Sequence, residues 1–214
     1  MFSSLATGVR HFHKGEIILA QGVEVEYLYW LQSGSCYRNL ITAKGDSIIY
    51  EIKEADCTLH SMIGALAVYN KTPGSQFTYV ARTDCVCHCI PSKDFLAWAA
   101  EKPDIQNQLL RLTLHYYEQL RLTYQAHQEG CIANRMCQIL LECIEYRSEQ
   151  KVISKRYHYS EIAGMLGVHT VTFSRIIRAL CEKGILQKSG SDTIVKDHDT
   201  LIRLANHELL LDYK

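Results

Sequence analysis

Hydroxyl and guanidinium side chains recur through residues 170–178, between the apolar positions of a predicted helix. Each can donate hydrogen bonds to phosphate oxygens or to base edges, and they are Thr170, Thr172, Ser174, Arg175 and Arg178. Arg is the side chain best suited to paired hydrogen bonds with guanine. The chemistry that these residues indicate is recognition of double-stranded DNA.

Two short helices joined by a tight turn must hold this polar face in place. The first helix has an apolar face made of Ile162, Ala163 and Leu166. Gly167 follows, and glycine most readily adopts the positive φ that ends a helix abruptly. Apolar residues then return at helical spacing, at Phe173, Ile176, Ile177 and Leu180. Residues 159–180 therefore predict a helix-turn-helix with residues 169–182 as the recognition helix, although the pattern also fits a helical hairpin in a small bundle.

The distribution of charge favours the DNA-binding interpretation. The chain carries 23 Lys and Arg against 23 Asp and Glu, so it is not a uniformly basic nucleic-acid-binding protein. Residues 151–190, however, contain seven basic residues and only two acidic ones. This local excess suits a modest electrostatic contact with DNA phosphates.

The composition is that of an ordinary globular chain of 214 residues, 47% hydrophobic and 21% charged. No apolar run is long enough to span a membrane and the first residues do not resemble a signal peptide, so we expect a cytoplasmic protein without membrane contact. The nine cysteines are scattered and odd in number, which favours reduced, buried thiols over disulfides. The motifs of serine hydrolases, zinc proteases and P-loop NTPases are missing, so we do not expect an enzyme.

Short strands and turns are predicted through the first half of the chain. Segments rich in β-branched and aromatic residues predict strands at 17–19, 27–31, 47–52, 77–81 and 85–90. Glycine-containing turns are predicted at Gly15, 21–22, 33–34, 44–46 and 73–74. Many short strands at this spacing indicate a sandwich or jelly-roll barrel.

Several short motifs occur in an order that is typical of one protein family. The sequence HKGEII at 13–18, then Gln21-Gly22, YLY at 27–29 and LQSG at 31–34 are similar to the opening of a cyclic-nucleotide-binding-type barrel. ARTDC at 81–85, with Phe95 ten residues later, resembles the last strands and exit of that barrel. Together with the helix-turn-helix that follows, these motifs resemble the CRP/FNR superfamily of bacterial transcription regulators, and the resemblance covers nearly the whole chain.

The fold that this resemblance implies is α+β. An N-terminal jelly-roll barrel at 1–102 would sense an effector, residues 103–130 would form a long dimerisation helix and hinge, and residues 131–214 would form a winged helix-turn-helix. The family also implies a homodimer, a palindromic operator, RNA polymerase as a partner and action as an activator.

The region after residue 102 is predicted to be largely helical. Pro103 and Asp104 favour a helix start, and apolar residues recur on several faces through residue 124. The resemblance implies pairing with a second copy, while a buried helix in a monomer is the alternative. Gly130 is expected to be the hinge, residues 132–147 a further helix, 184–195 a β-hairpin wing, and 199–211 a final helix or tail.

The effector is not expected to be cyclic AMP or cyclic GMP. The family's cyclic-nucleotide branch uses a Glu for the ribose and an Arg for the phosphate, and the matching positions here hold Gly64-Ala65-Leu66 and Ser75-Gln76. An anionic phosphate taken out of water needs charged partners, and Arg82 is the only arginine near these positions in the sequence. An uncharged or apolar molecule against Tyr116 and Tyr117, or no effector at all, remains open.

Two further interpretations remain open at this stage. Cys85, Cys87 and Cys89 would lie on one face of a strand and could contribute to a metal or redox centre, although neighbouring side chains of one strand cannot alone close a tetrahedral site. Buried cysteine as a small apolar residue is the simpler interpretation. The chain could also be a ligand-binding module without DNA-binding activity.

The resemblance also implies roles for single residues of the recognition helix. Ser174-Arg175 matches a Ser-Arg pair that contacts bases in the oxygen-sensing branch, and Val171 stands where that branch has a Glu. His169 stands where a capping Ser is common, and since histidine is a poor cap, Thr170 is expected to cap the helix instead. The residues expected to contact the DNA backbone are His169, Thr170, Thr172 and Arg178.

Overall fold

The computed structural model describes residues 2–45, 47–147, 149–154, 157–190 and 192–213. The chain forms two compact units, Met1–Tyr117 and Glu118–Lys214, which divide within one long helix. Each unit has its own hydrophobic core. None of the described helices is both long and apolar enough to cross a membrane.

The first unit is a β-barrel of two four-stranded antiparallel sheets. Its strands are β1 (Gly8–Phe12), β2 (Ile17–Leu19), β3 (Tyr27–Ser33), β4 (Ser35–Ile41), β5 (Ser47–Glu54), β6 (Met62–Ile63), β7 (Thr78–Ala81) and β8 (Cys85–Pro91). One sheet has the order β1-β8-β3-β6 and the other β2-β7-β4-β5. Apolar residues from both sheets form the core between them.

All five predicted strands are confirmed, and three others were not predicted. Strand β4 was missed because Arg38 and Asn39 place polar side chains at buried positions and interrupt the apolar pattern. Strand β1 is almost wholly exposed at a sheet edge, so apolar and polar residues do not alternate along its sequence. The turn at Ser33-Gly34 is confirmed, since Gly34 has φ +88° and its α-carbon lies against the Asp84 backbone. The last residue of the turn predicted at 44–46 lies outside the described residues.

Helices cover one end of the first unit and build a second core there. They are α1 (Ala65–Tyr69), α2 (Ser92–Ala100) and the start of α3 (Pro103–Glu129). Phe95 is fully buried in this core, together with Ile105 and Leu109 from the first turns of α3. The long helix predicted after residue 102 is confirmed.

The second unit contains four shorter helices and one four-stranded sheet. They are α4 (Ile132–Glu142), β9 (Ile144–Arg147), β10 (Gln150–Ile153), α5 (Tyr159–Met165), α6 (Thr170–Glu182), β11 (Leu186–Ser189), β12 (Asp192–Val195) and α7 (His198–Ala205). The sheet order is β11-β12-β10-β9, so the predicted wing hairpin pairs with a second hairpin.

The prediction of one helix over residues 132–147 was wrong. Helix α4 ends at Glu142, and residues 144–147 form β9, which pairs with β10. Ser154 donates a backbone hydrogen bond to the carbonyl of Cys143 at 2.8 Å, which fixes the hairpin against the helix end. Ile144 and Tyr146 continue the apolar spacing of the helix but also suit a strand, and pairing with β10 decides the outcome. Residues 199–211, predicted to be a final helix or tail, contain most of α7, which ends at Ala205, followed by a segment without a helix or strand among the described residues.

Candidate DNA-binding surface and effector pocket

Helix α6 divides cleanly into a buried and an exposed face. The buried face is Phe173, Ile176, Ile177, Ala179 and Leu180. The ring of Phe173 lies 4.9 Å from the ring of Tyr159 on α5, and Gly167 has the expected positive φ of +64°. Packing on α5 therefore fixes which side of α6 faces outward.

The exposed face carries most of the side chains predicted to contact DNA. Exposed residues at or near the start of α6 are His169, Thr170, Val171, Ser174, Arg175 and Arg178. Thr172 is half-buried, so it is the member of the predicted set least available to a partner. In the part of the chain that the structure describes, neither Arg175 nor Arg178 forms an ion pair or a side-chain hydrogen bond, which leaves both guanidinium groups free to bind phosphate or bases.

The start of α6 corrects the prediction that Thr170 caps the helix. His169 is the capping residue, with extended backbone angles, and its Nδ1 accepts a hydrogen bond from the backbone N–H of Val171 at 3.2 Å. A neutral imidazole nitrogen can accept in the same way as a Ser or Asp oxygen. Thr170 is then the first helical residue, and its hydroxyl is not needed for capping.

The wing adds a basic side chain that sequence reasoning missed. Lys188 on β11 is exposed and lies at two grooves. One groove runs beside α6 and is also lined by Ser174 and Arg178. The other runs beside the start of α5 and is also lined by Ser160. The sequence signal that could have identified Lys188 was its place in the hairpin predicted directly after the recognition helix.

A buried arginine near the start of α4 connects this helix to α3. Arg135 is only 4% exposed, and burial lowers its pKa from the usual value. Its guanidinium donates to the side chains of Gln119, Thr123 and Gln138, with 2.8 Å to the Gln138 Oε1. These neutral acceptors tie α3 to α4 across the Gly130 break.

The predicted effector residues of the first unit offer no charged group. Gly64, with φ +88°, precedes α1, and Ala65 is buried at its first position, followed by the half-buried Leu66. The Ser75 hydroxyl donates to the carbonyl of Phe77 at 2.6 Å, and Gln76 is exposed. Gly64, Ala65, Leu66, Ser75 and Gln76 therefore cannot supply the charge-assisted hydrogen bonds that a buried phosphate needs.

Tyr116 and Tyr117 do not lie on the same side of α3, which corrects the expectation that both line one pocket. The Tyr116 hydroxyl donates to Glu51 Oε1 at 3.1 Å and accepts from Lys53 Nζ at 2.9 Å. Tyr117 is 62% exposed. Only Tyr116 faces the barrel, as the helical advance of about 100° per residue requires.

Buried Arg38, Glu51 and Lys53 and the partly exposed His60 form an ionic cluster, here called the buried ionic cluster, that lies against Tyr116. Arg38 and Glu51 are direct cross-strand partners on β4 and β5, and Lys53 lies two residues further along β5 on the same face. Glu51 Oε2 lies 3.3 Å from Arg38 and 3.6 Å from Lys53, and its Oε1 lies 2.8 Å from His60 Nε2. The guanidinium carbon of Arg38 also lies 4.0 Å from the centre of the Tyr116 ring.

The electrostatics of this cluster favour a charged Glu51. Burial alone would raise the pKa of Glu51, but Lys53, the hydrogen bond with His60 and Arg38 together lower it to about 2. Burial lowers the pKa of Lys53 and raises that of the Tyr116 hydroxyl. The Nε of Arg38 is buried without a hydrogen-bond partner among the described residues. The sequence analysis missed this cluster, because it considered only Arg82, the arginine that is near in sequence.

Cys85, Cys87 and Cys89 share the inner face of β8, as predicted, and all are buried. The thiol of Cys85 donates to the carbonyls of Ser35 and Thr83, both at 3.2 Å. Burial raises the pKa of all three thiols, to about 12 for Cys87. Among described residues these thiols do not belong to any cluster of three potential metal ligands within 4.8 Å. All three side chains pack in the core of the barrel.

Comparison with known proteins agrees with this architecture. Residues 9–102 match the cyclic nucleotide-binding domain family, and residues 134–204 match the Crp-like helix-turn-helix domain family. The fumarate and nitrate reduction regulatory protein of Shigella dysenteriae is 23% identical over 202 residues, which cover 91% of this chain and 77% of that protein.

Solved structures show the same fold at low sequence identity. A CooA mutant from Carboxydothermus hydrogenoformans has a TM-score of 0.74 at 16% identity, covering 94% of this chain and 88% of that one. FixK2 from Bradyrhizobium japonicum has a TM-score of 0.68 at 17% identity, covering 92% and 96%. A CRP/FNR-family regulator from Thermus thermophilus has a TM-score of 0.66 at 18% identity, covering 93% and 98%. Because the two family models together match most of the chain, over residues 9–102 and 134–204, the chain belongs to the CRP/FNR superfamily and is a DNA-binding transcription regulator of that type.

Proposed function

We propose that this regulator binds a palindromic operator as a homodimer and responds to a small effector other than a cyclic nucleotide. The observation that carries the proposal is the exposed face of α6, where Ser174, Arg175 and Arg178 lie side by side and both arginines lack partners within the described chain. A two-fold dimer presents two such helices to successive major grooves. Regulation of this kind acts by binding and needs no catalysis.

An exposed apolar stripe on α3 supports the homodimer. Leu110, Leu114, Tyr117 and Tyr124 are each 56–65% exposed in the single chain, and Arg121 stands between the two tyrosines. Their steps of four, three and seven residues follow a heptad repeat, which is the spacing of a seam between two parallel helices. Contiguous apolar surface of this kind marks an interface. A second copy of α3 is the partner that supplies the same stripe by symmetry.

These surfaces support a separate role for each region of the chain. We assign effector sensing to residues 1–102, dimerisation and the hinge to 103–130, and operator binding to 131–214. A cytoplasmic dimer on its operator would contact RNA polymerase, and activation of transcription is the expected outcome.

Within the sensing region, we place the effector against the buried ionic cluster and Tyr116. The cluster holds two cations, Arg38 and Lys53, beside the single carboxylate of Glu51. Tyr116 belongs to the dimerisation helix, so a molecule that displaces its hydroxyl from Glu51 changes the contacts of that helix. An effector that binds one state of the helix better shifts the population toward it.

Operator binding is the test of this function. Purified protein is titrated against a labelled palindromic duplex selected from a random library, with fluorescence anisotropy as the readout. We expect affinity to fall steeply between about 50 and 200 mM salt, because phosphate contacts release counterions. Failure to select any sequence, together with salt-independent binding, would refute the proposal and leave a ligand-binding module.

A further inference from the structure

Three potential metal ligands meet where α3 gives way to α4. They are Glu129, the last residue of α3, Cys131, which precedes α4, and His207, in the turn after α7. One donor atom from each lies within 4.8 Å of the other two, and among the described residues this is the only such group. The cluster lies wholly within the second unit and shares no residue with the DNA-binding face.

The spacing of these atoms already approaches that of a bound transition metal. The sulfur of Cys131 lies 3.6 Å from Glu129 Oε2. A tetrahedral zinc ion with a sulfur at about 2.3 Å and a carboxylate oxygen at about 2.1 Å holds those two atoms about 3.6 Å apart. The His207 ring nitrogen lies within 4.8 Å of a donor atom of each of the other two residues, whereas a tetrahedral zinc ion would hold it at about 3.5 Å from them. Glu129 and His207 are both exposed, so neighbouring side chains do not enclose them.

The surrounding structure holds the cluster in place. Asn134, one turn into α4, donates its side-chain amide to the carbonyls of Leu204 and Leu209, both at 2.7 Å. Those two carbonyls flank His207, so the turn that carries the imidazole is fixed to the helix that follows Cys131. Gly130, between the other two ligands, has φ +68° and brings the Glu129 and Cys131 side chains together.

We propose that Glu129, Cys131 and His207 form a three-ligand site for a divalent transition-metal ion, with zinc as the best-matched ion. Thiolate, imidazole and carboxylate are the ligands that zinc takes in proteins, and three of them leave a fourth position for water. Sites with mixed soft and borderline ligands disfavour magnesium and calcium, which require oxygen ligands. The bound ion would tie both helices that flank Gly130 to the end of α7.

Metal binding to the full-length protein, without DNA, tests this site independently of operator binding. Zn²⁺ is titrated against a chromophoric chelator. We expect one ion per chain, with affinity reduced at least tenfold in Cys131→Ser and in His207→Asn. Serine is favourable as a helix cap and asparagine tolerates the positive φ of +62° at His207, so both variants should fold. Cys57→Ser, at an exposed cysteine of the first unit, is the matched control.

Cobalt substitution identifies the ligands directly. Wild-type protein loaded with Co²⁺ should show thiolate-to-cobalt charge transfer and tetrahedral ligand-field absorption, and Cys131→Ser should lose the charge-transfer band. The proposal is overturned if wild type binds no stoichiometric zinc, if both ligand variants bind as tightly as wild type, or if Cys57→Ser removes the site.

Discussion

The imidazole Nε2 of His127 lies 2.7 Å from the carbonyl oxygen of Leu166. His127 is in the last turn of α3, and Leu166 closes the first helix of the helix-turn-helix. Since the carbonyl can only accept, Nε2 donates this hydrogen bond. The next residue, Gly167, is so close that an added β-carbon would lie 3.5 Å from the same nitrogen. The turn that orients the recognition helix is therefore in direct contact with the end of α3.

Removing this hydrogen bond should loosen the helix-turn-helix locally. A neutral hydrogen bond contributes about 1 kcal/mol, so His127→Leu should speed amide exchange in the α5–α6 turn roughly fivefold. Hydrogen-exchange mass spectrometry measures this directly. The control is His11→Leu, at an exposed histidine of the first unit. Equal exchange rates in wild type and His127→Leu would mean that the contact does not stabilise the turn.

Arg175 and Arg178 should contribute differently to DNA binding. As a base-reading residue, Arg175 pairs with a guanine in each half-site, so Arg175→Ala should cost about 1–3 kcal/mol and relax preference at that position. Val171, adjacent on the exposed face, suits contact with a thymine methyl. The measurement is anisotropy against the operator and against duplexes changed at single positions.

Arg178→Ala is the matched comparison. As a phosphate contact it should weaken binding to all these duplexes about equally and lower the salt slope by about one. Lys188→Ala on the wing should behave in the same way. If Arg175→Ala weakens every duplex equally, Arg175 contacts the backbone and the assignment is wrong.

The helix-turn-helix was the most predictable part of this chain, because its pattern is local. Ile162, Gly167 and Phe173 each have one role that their spacing reveals, and the structure places them accordingly. The capping of α6 was not predictable from residue preference, since His169 uses a ring nitrogen where a side-chain oxygen is usual.

The buried ionic cluster could not be predicted, because its members are far apart in sequence. Arg38 interrupts the apolar pattern of a strand, and only pairing with β5 brings Glu51 opposite to it. Tyr116 joins from a helix more than sixty residues later. The same holds for the proposed metal site, since His207 comes close to Glu129 and Cys131 only through the packing of α7 on α4.

Dimerisation should depend on the exposed stripe of α3. Leu114→Glu places a charge in the centre of the proposed seam, facing its own copy across the two-fold axis, so it should convert dimer to monomer at micromolar concentration. Size-exclusion chromatography with light scattering gives the mass, and operator affinity should fall with it. His115→Glu, at an exposed residue whose heptad position faces away from the seam, is the control. A Leu114→Glu protein that remains dimeric would place the interface elsewhere.

Cyclic nucleotides should not bind. The cyclic phosphate would need charged partners at Ala65, Ser75 or Gln76, and these positions hold none. Isothermal titration of the purified protein with millimolar cyclic AMP or cyclic GMP should show no binding heat. A dissociation constant below about 10 μM corresponds to roughly 7 kcal/mol. Such affinity would show that Arg38 or Lys53 supplies the phosphate contact instead.

Acid should destabilise the first unit through Glu51. The pKa of this carboxyl falls from the ordinary 4.5 to about 2 in the folded protein. A carboxyl group whose pKa is lowered by folding contributes its full stabilisation when the pH is above its pKa in the unfolded chain. This stabilisation is lost as the pH falls from about 4.5 to about 2. The shift corresponds to on the order of 3 kcal/mol.

Thermal unfolding followed by tryptophan fluorescence isolates this effect, because Trp30 and Trp98, the chain's two tryptophans, both lie in the first unit. The midpoint of wild type should fall steeply between pH 4.5 and 2. Glu51→Gln should be less stable at pH 7, since Arg38 and Lys53 lose their counter-charge, and its midpoint should depend less on pH in the acid range. Glu26→Gln, at an exposed carboxyl, should follow the wild-type profile. If wild type and Glu51→Gln respond to acid with equal slopes, the carboxylate of Glu51 does not hold Arg38, Lys53 and Tyr116 together.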